Sequence, residues 1–450
     1  MDEYSQQNAK FKKMTESPVE KLVCSMAIPT IISMLITSLY NMADTFFMGR
    51  INASATGAVG VVFSLMALVQ ATGFFFGQGS GNYISRMLGK KDIHAAAQMA
   101  SVGFFSAFAI GVCFALLGLI FLEPLAILLG STPTILPYAE KYMEIILLGV
   151  PFMITSLVLN NQLRLQGDAA VAMIGISGGA ILNVILDPIF IFTFNMGIAG
   201  AALATIISQF ISFVALIVCC QRSSSMSIKF SNFRPSWHLY REIIGAGFPS
   251  FARQGLASAT FVVFNNILGF YGDVAIAAMS IVQRVTFLAI ATLLGFGQGF
   301  QPVCGFNYGA GLFTRVRTAY IFCLKLSTIV LLGLAMLGFI FAPQIISAFS
   351  EGEPEVLSIG IKAFRLQILS LPFMGVVIIT NMLLQNIGAF IGASILAVAR
   401  QGLFFLPLIF LLSNTFGLLG AQITQPISDF CSFLVAIPFA WKVLNQLKEN

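Results

Sequence analysis

The amino-acid sequence predicts an all-α integral membrane protein whose twelve transmembrane helices form two pseudo-symmetric six-helix bundles around a central cleft. Three observations predict it. Of 450 residues, 58% are hydrophobic and only 9% charged, with 44 Phe and a mean hydropathy of +0.91, far from the balance of a water-soluble domain. The apolar residues gather in twelve runs long enough to cross a hydrocarbon core of roughly 30 Å as helices. Finally, the chain matches itself at an offset of about 220 residues. A β-barrel would need alternating segments of about ten residues, whereas these runs are longer and continuously apolar.

Taken in order, the first run (22–48) contains Pro29, which bends a helix by removing a backbone donor, and carries Asp44 near its end. The second (56–83) leads into Ile84-Ser85-Arg86-Met87-Leu88-Gly89, and the third spans 96–122. The fourth (138–163) contains Pro151, the fifth (170–194) contains Asp187-Pro188, and the sixth (199–220) closes the first copy. The second copy supplies runs at 243–270, 274–303, 319–341, 357–387, 391–413 and 417–441. Matching positions hold the register: Ile28-Pro29 with Phe248-Pro249, Phe76-Gly77-Gln78-Gly79 with Phe296-Gly297-Gln298-Gly299, Pro151-Phe152-Met153 with Pro372-Phe373-Met374, and Gly197 with Gly417. Six spans per copy is an even number, so both copies enter the membrane from the same side and are related by an axis along its normal. Two such bundles facing each other make a cleft, and rocking them gives alternating access.

Orientation follows from Lys and Arg. The termini and every second loop hold sixteen of them, from Lys10 to Lys448, and the opposite loops hold only Arg50. Both termini are therefore expected in the cytoplasm of a multi-pass cell-membrane protein, with membrane lipids as neighbours. The net charge of +6 is a topology signal rather than a nucleic-acid footprint, so no nucleic-acid partner is expected, and no obligatory protein partner. The chain divides into a cytoplasmic N-terminal segment (1–21), an N-terminal bundle (22–221), an inter-bundle loop (222–242), a C-terminal bundle (243–441) and a tail (442–450). The polar N-terminus runs into a span of about 27 residues, so no cleavable signal is expected. The seven cysteines read as packing residues, and His94 and His238 as loop residues. The sequon Asn52-Ala53-Ser54 carries no weight, because such triplets occur by chance.

Acids inside apolar spans are costly unless paired, solvated or protonated, and so point to function. Asp44 and Asp187 are both in the first copy. On the first run Ser33, Thr37, Tyr40 and Asp44 recur at steps of four, three and four, one helical face. Asn183 and Asp187 are four apart on the fifth run, and Thr205, Ser208 and Ser212 share a face of the sixth. Converging hydroxyls, an amide and two carboxylates suit either a hard cation taking oxygen ligands or a proton shared between acids. Hydroxyls also bond their own helix, and Asn160 and Asn183 also suit a bridge between helices. The second copy differs. Phe264 stands at the offset of Asp44, and its inner polar residues are Arg253, Gln254, Gln283, Arg284, Asn381, Gln385 and Arg400, with Asp429 a third deep acid of no assigned role.

The ordered motifs resemble the multidrug and toxic compound extrusion (MATE) family. They are the Pro29 helix ending Asn41-Met42-Ala43-Asp44, the run Ile84 to Gly89, Asn183-Val184-Ile185-Leu186-Asp187-Pro188, Gln298-Gly299-Phe300-Gln301-Pro302, and Phe306-Asn307-Tyr308-Gly309. The resemblance covers nearly the whole chain. It implies an antiporter exporting bulky, often cationic or amphiphilic organic compounds against an inward flow of H⁺ or Na⁺, with no other cofactor. It further implies Asp44, Asn183, Asp187 and Thr205 as cation ligands, a set that suits Na⁺, with Tyr40 and Asn160 as hydrogen-bonding partners. Met279, Gln283 and Tyr40 are the expected substrate contacts.

Other classes fit less well. A flippase for lipid-linked precursors shares the clamshell and would use a basic cavity, with which Arg253, Arg284 and Arg400 agree and the buried aspartates do not. An enzyme would need a nucleophile or metal set, and no HExxH, GxSxG or GxxxxGK is present. No filter-like repeat suggests a channel.

Overall fold

The computed structural model describes residues 3–51, 53–222, 228–350 and 353–449, all helical or in short connections. Asn52 of the sequon, residues 223–227 of the inter-bundle loop and the extreme terminal residues 1–2 and 450 lie outside them. A leading helix, α1 (Glu3–Glu16), precedes the first bundle. That bundle comprises α2 (Val19–Gly49), α3 (Ala53–Gly89), α4 (Ile93–Ile120), the short α5 (Leu122–Leu128), α6 (Leu136–Leu165), α7 (Ala169–Pro188) and α8 (Ile198–Arg222). The second bundle comprises α9 (Trp237–Gly269), α10 (Asp273–Gly309), α11 (Phe313–Ile340), the short α12 (Ala342–Ser347), α13 (Pro354–Ile368), α14 (Leu371–Ile387), α15 (Phe390–Val398), α16 (Leu406–Phe416) and α17 (Leu418–Glu449).

Among the described residues, these helices make twelve spans. Ten are single helical segments long and apolar enough to cross a membrane, two of them through a π-helical stretch, and α13 with α14 forms an eleventh bent by 48°. The twelfth, α9, is long enough but less apolar, because it carries Arg241, Glu242 and Arg253. Large apolar side chains such as Ile28, Leu39, Ile174 and Ile391 point outward, where lipid rather than water would meet them. The helix α2 passes through Pro29 without a break. Residues 3–16, read from sequence as a polar segment, and 123–128, which fall between the third and fourth runs, are helical instead, the first a polar and the second an apolar short helix.

The repeat is visible in backbone geometry. Lys91 and Gly311 both adopt positive φ (62° and 74°) just past helix ends 220 residues apart, and the next N–H in each case returns to a carbonyl five residues back, Asp92 to Met87 at 2.9 Å and Leu312 to Asn307 at 2.8 Å. Gly167 pairs in the same way with Gly388, through Asp168 to Leu163 at 3.0 Å and Ala389 to Leu384 at 2.9 Å, and Gly197 and Gly417 share a positive φ (55° and 60°). Both copies also widen into a π-helical stretch beside the matched proline, though on opposite sides of it: Ile189–Thr193 follows Pro188 and Ala399–Phe405 precedes Pro407. Pro188 and Pro407 flank these stretches, and each lacks the N–H that a regular α-helix needs.

The bundles meet along α2 with α10 and α3 with α9. Glycines set the distance: Gly79 lies on the Ile243 carbonyl, its repeat mate Gly299 on the Ala27 backbone, Gly89 on Phe306 and Gly309 on Arg86, so a methyl group at any of them would collide with main chain. All these contacts lie in the half of the molecule that carries the termini. The helix α1 caps that half. Lys10 pairs with Asp168 at 2.6 Å on the first bundle, while Asn307 and Arg315 of the second donate to the Met14 and Ser17 carbonyls at 3.0 and 2.6 Å. Burial holds the Lys10 ammonium below its usual pKa, against the opposing pull of Asp168.

Candidate functional site

Two polar regions sit at depth, one in each bundle. In the first, α7 brings Asn183 and Asp187 onto one face, one turn apart, and both are buried. The Asn183 amide lies between Asp187 and Thr205 of α8. In one orientation its nitrogen is 3.4 Å from Asp187 Oδ1 and 3.3 Å from Thr205 Oγ1. Turned over, the nitrogen donates to Asp187 Oδ2 at 3.2 Å and the oxygen accepts from the Thr205 N–H at 3.2 Å, which satisfies donor and acceptor together. Packing of α2 along α7 adds Tyr40 and Asp44, both within electrostatic reach of Asp187. Asp44 Oδ1 is buried with no hydrogen-bond partner among the described residues.

Neither carboxylate has a basic partner, since the ion pairs among the described residues lie elsewhere. An isolated carboxylate in such surroundings costs several kcal/mol, and two facing each other cost more. A proton or a small cation relieves that cost directly. The oxygens of Asp44, Asp187, Asn183 and Thr205 are the kind a hard monovalent cation takes.

The remaining candidates divide. Thr37 donates to the Ser33 carbonyl at 2.8 Å and Ser212 to the Gly175 carbonyl at 2.8 Å, so these hydroxyls bond main chain. Asn160 donates to the Ala172 carbonyl at 2.8 Å, near the start of α7, roughly 16 Å along that helix from Asn183. Its repeat mate Asn381 makes the same bond to Ala393 at 2.6 Å. A pair of equivalent clamps, present in both copies, ties neighbouring helices together. The sequence did not single out Tyr142, which is buried on α6 beside Thr205 and within reach of both acids. A tyrosine in an apolar run gives no signal of its own.

In the second bundle, a cavity of about 290 Å³ opens between α9, α10, α14 and α17. Met279 and Gln283 line it, as do Arg253 and Arg400, whereas Tyr40 does not. Arg284 points away and is exposed. Asp429, left without a role by the sequence, is buried and accepts from Arg400 at 2.7 Å, Gln425 at 2.7 Å and Ser370 at 2.8 Å. Two residues that are each costly in hydrocarbon were a signal that they pair.

Between the bundles lies a third set that the sequence did not reveal. Arg164, counted as a loop residue for orientation, is 1% exposed at the end of α6. It donates to Asn161 Oδ1 at 2.7 Å in its own bundle and to the Gln298 carbonyl at 2.7 Å and Gln301 Oε1 at 2.9 Å in the other. Gln301 and Gln78 close the ring through bonds of 3.0 Å to Gln78 and Asn161 respectively. Arg86 adds an ion pair to Glu242 and a 3.1 Å bond to the Asn386 carbonyl. The half that carries the termini is thus closed by polar bonds as well as by glycine packing.

Comparison with known proteins agrees with this architecture. A family model described as MatE matches residues 29–189 and 249–411, one match in each bundle. The chain is 29% identical over 435 residues to the multidrug export protein MepA of Staphylococcus haemolyticus, covering 96% of this chain and 95% of that one. Among solved structures, a crystal structure of MATE in complex with MaL6 superposes with a TM-score of 0.92 at 25% identity, covering 98% and 99% of the two chains. An outward-facing multidrug resistance MATE family transporter of the MOP superfamily gives 0.91 at 25% identity, covering 97% and 98%.

Proposed function

The chain belongs to the MatE family of membrane transporters, and we propose that it is a multidrug efflux antiporter that exports bulky, often cationic organic compounds in exchange for H⁺ or Na⁺. The observation that carries this reading is the unpaired acid couple Asp44 and Asp187, with Asn183 and Thr205 supplying further oxygens and Tyr40 beside them. The multidrug export proteins among its relatives support the substrate class.

With the termini in the cytoplasm, as the Lys and Arg distribution favours, the closed half is cytoplasmic and the cleft faces outward. A cation arriving from outside then meets the acids first. Its binding cancels one of the two negative charges of the pair and draws α2 and α7 together around Asp187, a change that passes through the Pro29 region of α2 to the seam, where Thr30 donates to the Gly295 carbonyl of α10 at 2.6 Å. Compound leaves outward as the cation is taken up, and cation release inside resets the acids. Each tenfold gradient of a monovalent cation supplies about 1.4 kcal/mol, and each charge crossing 100 mV about 2.3 kcal/mol. One or two ions suffice for appreciable accumulation.

The test is dye exchange in reconstituted vesicles with Na⁺ and pH gradients imposed separately. Asp44→Asn and Asp187→Asn are expected to abolish gradient-driven export while leaving dye binding measurable. Normal gradient-driven export in both variants would sink the reading.

A further inference from the structure

We infer that the cavity of the C-terminal bundle is a binding site for amphiphiles that carry an anionic group, a carboxylate or a phosphate, on an apolar body. Its walls suit the body: Phe261, Phe264, Phe287, Met279 and Met374 present rings and thioethers, which adapt to varied apolar shapes. The polar lining is of one sign. Two arginines, Arg253 and Arg400, face the cavity, and among the described residues no acidic side chain lines it.

Arg400 is already matched by Asp429 at 2.7 Å. Arg253 has no ion pair and no hydrogen bond among the described residues, although it is half-buried within an apolar span. A guanidinium in that position is costly until it meets an anion, and its planar fork takes carboxylate or phosphate in two parallel bonds. Two further observations place unused hydrogen-bonding capacity on the same cavity. Thr286 Oγ1 and Gln401 Oε1 are buried without hydrogen-bond partners among the described residues, and both residues line it. The volume of about 290 Å³ admits a body of fused rings or a short acyl segment.

This inference stands on the C-terminal bundle alone and does not depend on the ion reading of Asp44 and Asp187. Taken with the export reading, it extends the cargo beyond cations, to anionic and zwitterionic compounds whose acid is held in the C-terminal bundle.

The test uses full-length protein in nanodiscs, with fluorescence anisotropy reading the binding of a rhodamine that bears a free carboxylate and of its methyl ester. The free acid is expected to bind the wild-type protein about tenfold more tightly than the ester. Arg253→Gln should remove that preference by weakening the acid alone, and Arg253→Lys should retain part of it. Competition then separates the sources. Displacement of the dye by lysophosphatidate but not by lysophosphatidylcholine assigns the site to phosphate headgroups, and failure of both to displace it assigns the site to soluble carboxylates. Equal binding of acid and ester to the wild-type protein overturns the inference, as does a preference that survives intact in Arg253→Gln.

Discussion

Arg164 on α6 donates to Gln301 Oε1 on α10 at 2.9 Å, and so joins the two bundles through a buried guanidinium. Together with its bonds to Asn161 and to the Gln298 carbonyl, it makes the closed half a polar lock rather than a purely apolar seam. Locks of this kind are reversible, because each partner can be rehydrated when the bundles part.

Arg164→Ala removes three bonds to one charged group, of which the two across the interface are worth about 1.5–3 kcal/mol each. The closed arrangement should lose population by tenfold or more relative to the alternative in which this half is open. Distance measurements between spin labels on the termini-side ends of α3 and α9 would read the shift. An unchanged distance distribution would show that glycine packing alone holds this half shut.

Asn160 and Asn183 lie in the same bundle but perform different tasks. Asn160→Ala removes one clamp between α6 and α7 and should lower stability by about 1 kcal/mol, with ion dependence retained. Asn183→Ala removes the link between Asp187 and Thr205 and should weaken the response to the coupling ion at similar stability. Thermal unfolding measured with and without Na⁺, and across pH, distinguishes the two variants.

Removing Arg400 from its pair leaves the Asp429 carboxylate buried without a cation. Arg400→Met should therefore destabilise by about 3–5 kcal/mol, whereas Arg400→Met combined with Asp429→Leu should cost much less. A thiol-reactive dye unfolding assay on both variants tests this. Equal losses in the single and double variants would mean that the two residues do not act as a pair.

Docking of α1 should depend on pH through Lys10. Its pKa is lowered in the docked helix, so the docked state binds protons less readily than the undocked one. The sign follows: docking strengthens as pH rises through the alkaline range below the ordinary lysine value of about 10.4, and weakens as pH falls. Protease cleavage near Ser17 should accelerate toward neutral pH, and Lys10→Met should flatten that dependence.

Much of this was legible in the chain. Run length and composition fixed twelve spans, because hydrocarbon tolerates only backbone that satisfies itself as helix. Register between the copies predicted two bundles, and it reappears in the matched turns at Lys91 and Gly311. Asp44 and Asp187 stood out by themselves, because acids in an apolar run are costly, whereas Asn183 and Thr205 had structural alternatives and joined them as a ligand set only through the family resemblance.

The partnership of those polar residues could be decided only by three-dimensional packing. Spacing along one helix says which side chains share a face, but not which face of another helix they meet. Hence Asn160, matched by family pattern to the acids, turns to a carbonyl near the start of α7, while Tyr142 joins them unannounced. Asp429 and Arg400, 29 residues apart, become a pair, whereas Arg253 is left facing a cavity. The sequence by itself determined the membrane class, the repeat and the acidic half of the molecule. Tertiary structure decided which charges are neutralised and which remain available, because that depends on distances across helices that no one-dimensional pattern contains.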